Sequence, residues 1–459
     1  MQLSLLIKKF KNIHFLSLMS TGGTVAINML ITAVLYRSLP FADNGTWIFY
    51  QTTVLFIDTF RTGLLNTAFV KFYSGTSKER GEEVIGSTWF LASAITVLFV
   101  VLNLPALYFL PQIKNEGLCL FVEFLSINLI ITIPNIVSLC IAQGALQFDR
   151  VLYIRLINNG LFLVFVVLLP FFGEVTLLKV VYANLVAVLI ANLISLVAGW
   201  SEIGLFNKKT FACVRELFHF GKYTVGTSIS ANLFKVTDTF MINFLLGPAA
   251  LSIYNLGQKL IEIVEFPLRS LTVTAMPQMS AAYNQNEKSE VIYLMKKYVG
   301  VLTLLLIPAF LFAFLFSDYA ILFVGGKEYV GTEAANVFRI FMTFALLFPL
   351  DRFLAVGLDV IHKPEINFYK VLIMLVINLV ADYIGVYILG NVYGIAIASL
   401  FPTLFAVAVG YFAIRKYYMP YQFWNAYSVG LDEIKSQTIK IFRRRSESVS
   451  NNEFMGRTN

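Results

Sequence analysis

About twelve runs of some 20 or more mainly apolar residues follow one another along this chain, parted by short polar turns. No other feature constrains the fold as much, because a helix needs roughly 20 apolar residues to cross a bilayer. By that measure the spans fall near 13–38, 46–71, 84–110, 118–143, 152–172, 175–199, 218–246, 249–276, 293–316, 334–357, 366–388 and 392–414. Composition agrees: the chain is 58% hydrophobic and 14% charged, with mean hydropathy +0.74. Soluble globular chains carry about 25% charged residues. The expectation is an all-α polytopic membrane protein with about twelve transmembrane helices.

The net charge of +8 would suggest nucleic acid in a soluble protein. Here the basic residues cluster in alternate connections: Lys8, Lys9 and Lys11, then Lys71, Lys78 and Arg80, then Arg150, Lys208, Lys209 and Arg215. Later members are Lys288, Lys296, Lys297 and Lys363. The positive-inside rule accounts for them and puts both termini in the cytoplasm. The opening KKFKN runs into a span too long for a cleavable leader, so it is expected to precede the first membrane helix. Cys119, Cys140 and Cys213 show no metal or redox spacing, and His14, His219 and His362 are scattered singly, so no cofactor is implied. No GxxxxGK[ST] occurs, which disfavours ATP-driven pumping.

The stretch from Phe218 to Tyr283 departs from the apolar norm. Its two spans meet at Gly247-Pro248 and carry charges near their middles: Lys235 and Asp238, then Lys259, Glu262, Glu265 and Arg269. A charge at the centre of a lipid-facing helix costs at least ~2.5 kcal/mol. Six of them must face protein, one another or water, so this hairpin is expected to wall a polar cavity. The first two spans are polar in a similar way. Thr21, Thr24, Asn28 and Thr32 share one helical face, and Gln51, Asp58 and Thr62, flanked by Arg61, mark the second span. On the later pair the corresponding faces hold Asn232, Lys235 and Thr239, then Gln258, Glu262, Glu265 and Arg269. Spans three, five and nine carry almost nothing ionisable. The blander account treats these groups as interhelical bonds worth ~0.6 kcal/mol each. Full charges at mid-depth exceed that need.

The resemblance between the two polar pairs has a register. At an offset of 207 residues Asn28 meets Lys235, Thr32 meets Thr239, Trp47 meets Tyr254, Gln51 meets Gln258 and Asp58 meets Glu265. Beyond the longer turn near 317–332 the offset becomes about 215, and Pro134 meets Pro349. Two parallel six-helix repeats around a central polar cavity follow, an arrangement many transporters share. The expected division is an N-terminal half over 1–200, a C-terminal half over 201–415 and a polar cytoplasmic tail over 416–459. The tail's Arg443, Arg444 and Arg445 read as an orientation signal before a disordered end, with anionic-lipid contact or partner docking as the functional alternative. Glu123, Arg339, Asp351, Arg352 and Asp382 are expected to form structural pairs or helix-end groups.

These features have a family likeness. LGPAALSIY after span seven, its counterpart LPFADNGTW after span one, Pro277-Gln278, and NLVADYIGVYILGNVYGIAIASL from Asn378 to Leu400 resemble the bacterial polysaccharide transporter family. Those proteins are the flippases of lipid-linked oligosaccharides for O-antigen, lipopolysaccharide and capsule, within the multidrug/oligosaccharidyl-lipid/polysaccharide exporter superfamily. The resemblance covers about residues 1–415. It implies an inner-membrane protein, not an enzyme, that passes an undecaprenyl-diphosphate-linked repeat unit from the cytoplasmic to the periplasmic leaflet by alternating access. Its partners would be that lipid-linked oligosaccharide, membrane lipids, and the polysaccharide polymerase and chain-length machinery; nucleic acid has no part. Arg61, Lys235, Lys259 and Arg269 are the candidates for pyrophosphate or acidic-sugar contact. Asp58, Asp238, Glu262 and Glu265 balance them or carry coupling ions, and Thr21, Thr24, Asn28, Gln51, Asn232 and Gln258 make the polar wall. A drug or cation exporter of the same superfamily is the nearest alternative. A membrane glycosyltransferase, polymerase or ligase is more remote, because no outer loop is long enough to carry chemistry.

Overall fold

The computed structural model describes residues 13–436, with the side chains of 13–21, Thr227, Ala231, Phe266, Pro267, Arg269, Ser270, Val273 and Thr274 outside that set. Nearly all of the described chain is helical, and it contains no strand. In order the helices are α1 (Ile13–Ser38), α2 (Phe41–Tyr73), α3 (Lys78–Tyr108), α4 (Glu116–Ile131), α5 (Ile133–Gly144), α6 (Phe148–Leu168) and α7 (Leu177–Val197). There follow α8 (Phe211–Leu245), α9 (Pro248–Asn284), α10 (Lys288–Gly325), α11 (Ala334–Ala345), α12 (Phe348–Val360), α13 (Pro364–Leu389), α14 (Val392–Ala398) and α15 (Leu400–Tyr417).

Each of the twelve expected spans coincides with one of these helices or with a consecutive pair. Among the described residues, six helical stretches are long and apolar enough to cross a membrane, and two bent pairs bring the number to eight. The chain is therefore a polytopic membrane protein. Helices α2, α8 and α9, at 33, 35 and 37 residues, are ample in length. The charges at their middles lower their hydropathy.

The repeat is visible at the helix ends. Helices α1 and α8 stop at Ser38 and Leu245, and α2 and α9 start at Phe41 and Pro248, all at the same offset of 207. The bent pairs repeat too: α4–α5 bends by 47° and α11–α12 by 44°. Pro134 and Pro349 lie in the first turn of α5 and α12, where the missing N–H breaks the preceding helix.

Contacts divide the chain into two compact units. The first runs to Asn255 and takes in Ile321–Thr332; the second comprises Leu256–Ala320 and the chain from Glu333 onward. Sequence repeat and contact thus divide the chain differently, since α8 opens the second repeat but packs along α2 in the first unit. Glycines permit that approach. A Cβ on Gly63 would lie 2.9 Å from the Ser228 side chain, and one on Gly221 would lie 2.4 Å from the Leu64 carbonyl oxygen. The Thr224 hydroxyl donates to the Gly63 carbonyl at 2.6 Å. At the far end of this unit the two repeat-equivalent turns meet so closely that a Cβ on Gly45 would come within 1.7 Å of the Pro248 carbonyl oxygen. Tyr36 donates to the Ser252 carbonyl at 3.1 Å, and the Ser252 and Tyr329 hydroxyls bond at 2.6 Å.

Among the described residues, two large apolar cores and a small one around Ala142, Val151 and Ile154 stabilise the first unit. One large core joins Ile31, Leu35, Trp47, Tyr50, Phe162 and Val181. The other joins Leu65, Phe69, Ile85, Trp89, Ile141 and Leu217. Helix α2 threads both, and its polar turn at 58–62 falls between them. In the second unit one core gathers Met279, Met295, Phe353, Leu354 and Ile414. The described part of the tail, up to residue 436, joins it. Tyr421 and Ala426 are buried, and the helix at 426–436 crosses α10 with Gly430 against Gly300. Lys297 and Glu433 pair at 2.8 Å. The three arginines at 443–445 lie outside the described residues.

Candidate functional site

In the first unit the polar groups gather along α1, α2 and α8. Gly247, at φ +91°, makes the reversal between α8 and α9, and Pro248 starts α9 with a preset φ. That turn brings Tyr254 back onto α8, where its hydroxyl donates to Asp238 at 2.8 Å with both groups buried. Antiparallel packing of α2 on α8, fixed at Gly63–Ser228 and Phe49–Phe240, sets Asp58 level with Asn232. Asn232 is half-buried and donates to the Ser228 carbonyl at 3.0 Å. Lys235 is half-buried on the same helix. On α1 Asn28 is exposed and Thr24 half-buried; the Thr21 side chain lies outside the described set. Gln51 reaches Asn184 of α7 at 3.4 Å.

Arg61 has a different setting from the others. Its guanidinium is fully buried, and its nitrogens donate to Asp58 (2.9 Å from Nε), Thr96 (3.0 Å), the Leu129 carbonyl (2.6 Å) and Thr132 (2.7 Å). With the further Nη2 bond to Asp58, five donor contacts are in place, which is the capacity of the group. Arg61 thus ties α2 to α3 and to the break between α4 and α5. It leaves Asp58 half-exposed, with one oxygen held. Thr96, Leu129 and Thr132 stand far from Arg61 in sequence, and nothing in their spacing marked them as its partners.

The second unit carries Gln258, Lys259, Glu262 and Glu265 on α9, all half-buried. Lys259 bonds both carboxylate oxygens of Glu262, at 3.1 and 3.2 Å. The Arg269 side chain lies outside the described set. Away from α9, Lys370 meets Asp351 at 3.0 Å, Arg339 meets Asp318 at 2.5 Å, and buried Asp382 accepts from Asn378 at 2.8 Å. Asp351, Arg339 and Asp382 thus stand as structural pairs. Chemically, half-exposed lysines beside carboxylates and amides can bind a polar, anionic or sugar-bearing group.

A sequence profile of the family described as "Polysaccharide biosynthesis protein" matches residues 10–334, well over half of the chain. The chain belongs to that family. A relative from Haloferax volcanii, "Probable low-salt glycan biosynthesis flippase Agl15", is 26% identical over 218 residues, 47% of this chain and 46% of the relative. The chain thus matches about half the length of that curated relative. Among solved structures, an inward-facing multidrug resistance MATE family transporter of the MOP superfamily shares the fold at TM-score 0.73. That match is 15% identical and covers 86% of this chain and 94% of the other. Lipid II flippase MurJ, in an inward closed conformation, matches at TM-score 0.71 and 13% identity, covering 93% and 92%. At these identities the structural matches establish the fold, and this family member has the fold of the MOP superfamily.

Proposed function

We propose that the protein is a flippase that carries an undecaprenyl-diphosphate-linked oligosaccharide repeat unit, of O-antigen or capsule type, from the cytoplasmic to the periplasmic leaflet. The observation that carries this is a polysaccharide-biosynthesis chain, with a glycan flippase among its relatives, whose membrane helices hold polar groups at mid-length. Sugar hydroxyls desolvated without partners cost several kcal/mol each, and the amides, hydroxyls and charges of α1, α2, α8 and α9 offer such partners. Lys235, Lys259 and Arg269 are the substrate cations in this reading. Arg61, with its donors occupied, contributes by fixing Asp58. Asp58, Asp238, Glu262 and Glu265 balance the bases or carry coupling ions.

The protein would lie in a bacterial inner membrane with both termini cytoplasmic. In the first unit Lys71, Arg80, Arg150, Lys208 and Arg215 belong to helix ends and connections on one side, which supports that orientation. Polymerase and chain-length proteins would take the product. Two measurements test the reading together. Deleting the gene should abolish surface polysaccharide and leave dye efflux unchanged; the reverse result would favour a drug exporter. Alkaline phosphatase fused after Lys327 should be active and after Lys209 silent, and swapped activities would refute the orientation.

A further inference from the structure

Helix α6 carries a charge that neither the family assignment nor the polar faces described above account for. Arg155 lies seven residues inside the helix from Phe148, about 10 Å at 1.5 Å per residue. Val151, Arg155, Asn158, Phe162 and Val166 share one helical face, and Val151, Phe162 and Val166 are buried core residues. The opposite face presents exposed Tyr153, Val164 and Val167. Arg155 therefore points into the unit and away from lipid. Asn159, four residues on from Arg155, flanks the same face.

Four cations of other helices show what Arg155 lacks. Arg61, Lys259, Arg339 and Lys370 each have a carboxylate within 2.5–3.1 Å. Half-buried Arg155 has no hydrogen bond, ion pair or ring contact among the described residues, and the buried Oδ1 of Asn158 has no hydrogen-bond partner. A guanidinium inside a membrane helix with no protein counter-charge is a site for an external anion. Its planar fork of N–H donors fits phosphate oxygens in pairs; the Asn158 amide, turned over so that Nδ2 takes the place of the unpartnered buried Oδ1, adds a donor on the same face.

The neighbouring helix indicates how the rest of a ligand would run. Helix α1 packs along α6, and a methyl on Gly23 would touch Leu156 at 3.6 Å. Arg155 is therefore level with the Gly22–Gly23 part of α1. Thr24 and exposed Asn28 lie a few ångströms further along. We propose that Arg155, Asn158 and Asn159 form an anion subsite for the diphosphate of a polyprenyl-linked substrate. Its attached sugars extend along the Thr24–Asn28 face. This rests on the flippase reading above and adds to it the group that holds the phosphates.

The test uses the full-length protein in phosphatidylcholine nanodiscs, with undecaprenyl diphosphate, undecaprenol and phosphatidylglycerol as separate probes. Binding is read by native mass spectrometry and folding by thermal melting. Arg155→Gln should weaken undecaprenyl diphosphate binding at least tenfold, consistent with losing a charge-assisted pair of bonds, and leave undecaprenol binding unchanged. Asn158→Asp places a carboxylate beside the guanidinium in a folded protein and should weaken diphosphate binding similarly. Arg155→Lys should recover only part of the affinity, because an ammonium lacks the paired donors. Wild-type protein that binds no undecaprenyl diphosphate would overturn the flippase reading and this subsite with it. Tight wild-type binding that neither Arg155→Gln nor Asn158→Asp alters would overturn the subsite alone. An equal loss for phosphatidylglycerol would assign Arg155 to bulk anionic lipid, and that also overturns the proposal.

Discussion

Helices α2 and α9 occupy the same place in the two repeats, and they treat charge in opposite ways. In α2 the cation Arg61 is fully buried and every donor is engaged. In α9 the Lys259–Glu262 pair stays open, its side chains 27% and 39% exposed. Asp58 and Glu265 are equivalent by the 207-residue register, yet only Asp58 stands three residues before an arginine; the position equivalent to Arg61 is Leu268, a core residue. The difference teaches that a mid-membrane charge can serve as a strut or as a surface for something passing by. Which role it takes depends on whether neighbouring helices supply enough acceptors.

The sharpest break of this comparison is Arg61→Ala. Half-exposed Asp58 can turn to solvent, but removing the guanidinium strips the bonds to Thr96, Leu129 and Thr132 and leaves a cavity between two cores, a loss of about 2–5 kcal/mol as for truncating a large buried side chain. The expected outcome is a much lower melting temperature in detergent and depleted protein in the membrane. A double Asp58→Asn, Arg61→Met variant should recover much of that stability. Unchanged melting of Arg61→Ala would show that the bonds around Arg61 are not a strut.

A smaller effect is expected at Gly430→Val in the second unit. A Cβ there would lie 2.4 Å from the Gly300 carbonyl carbon, backbone against backbone. Overpacking of this kind costs about 1–3 kcal/mol. The 426–436 helix should detach from α10 and become sensitive to protease near Lys435, while the rest of the protein stays folded. Protection equal to wild type would show that the described tail is not held by this crossing.

The least change in stability belongs to Lys259→Ala. Exposed or half-exposed pairs contribute about 0–1 kcal/mol, so melting should barely shift while surface polysaccharide falls. Such a split between stability and export would sharpen the contrast with Arg61. If Lys259→Ala instead lost folded protein to the extent of Arg61→Ala, the two helices would be alike and the comparison would fail.

Several parts of this structure were legible in the residue string. Apolar run length predicts the helical membrane class because a helix is the only economical way to satisfy the backbone inside lipid. The 207-residue register anticipates that the α1–α2 and α8–α9 turns are equivalent, and the structure shows those turns packed together at Gly45 and Pro248. Helical periodicity also groups Thr24 with Asn28 and Glu262 with Glu265. Arg155 was legible in principle, since Arg155, Asn158 and Asn159 follow the i, i+3, i+4 rule. A single charge near the start of an apolar span is easily taken for an interface group.

Which residues share a helical face follows from 3.6 residues per turn and needs no neighbour, so the residue string was enough for it. What stands opposite each face is a matter of packing between helices. Arg61 finds Thr96, Leu129 and Thr132 on other helices, α8 lies against α2 because glycines let two backbones approach, and the tail closes on Gly300. Arg155 finds no counter-charge among the described residues. The balance between the cost of burying a charge and the bonds that offset it is set by partners distant in the chain, and periodicity carries no record of them.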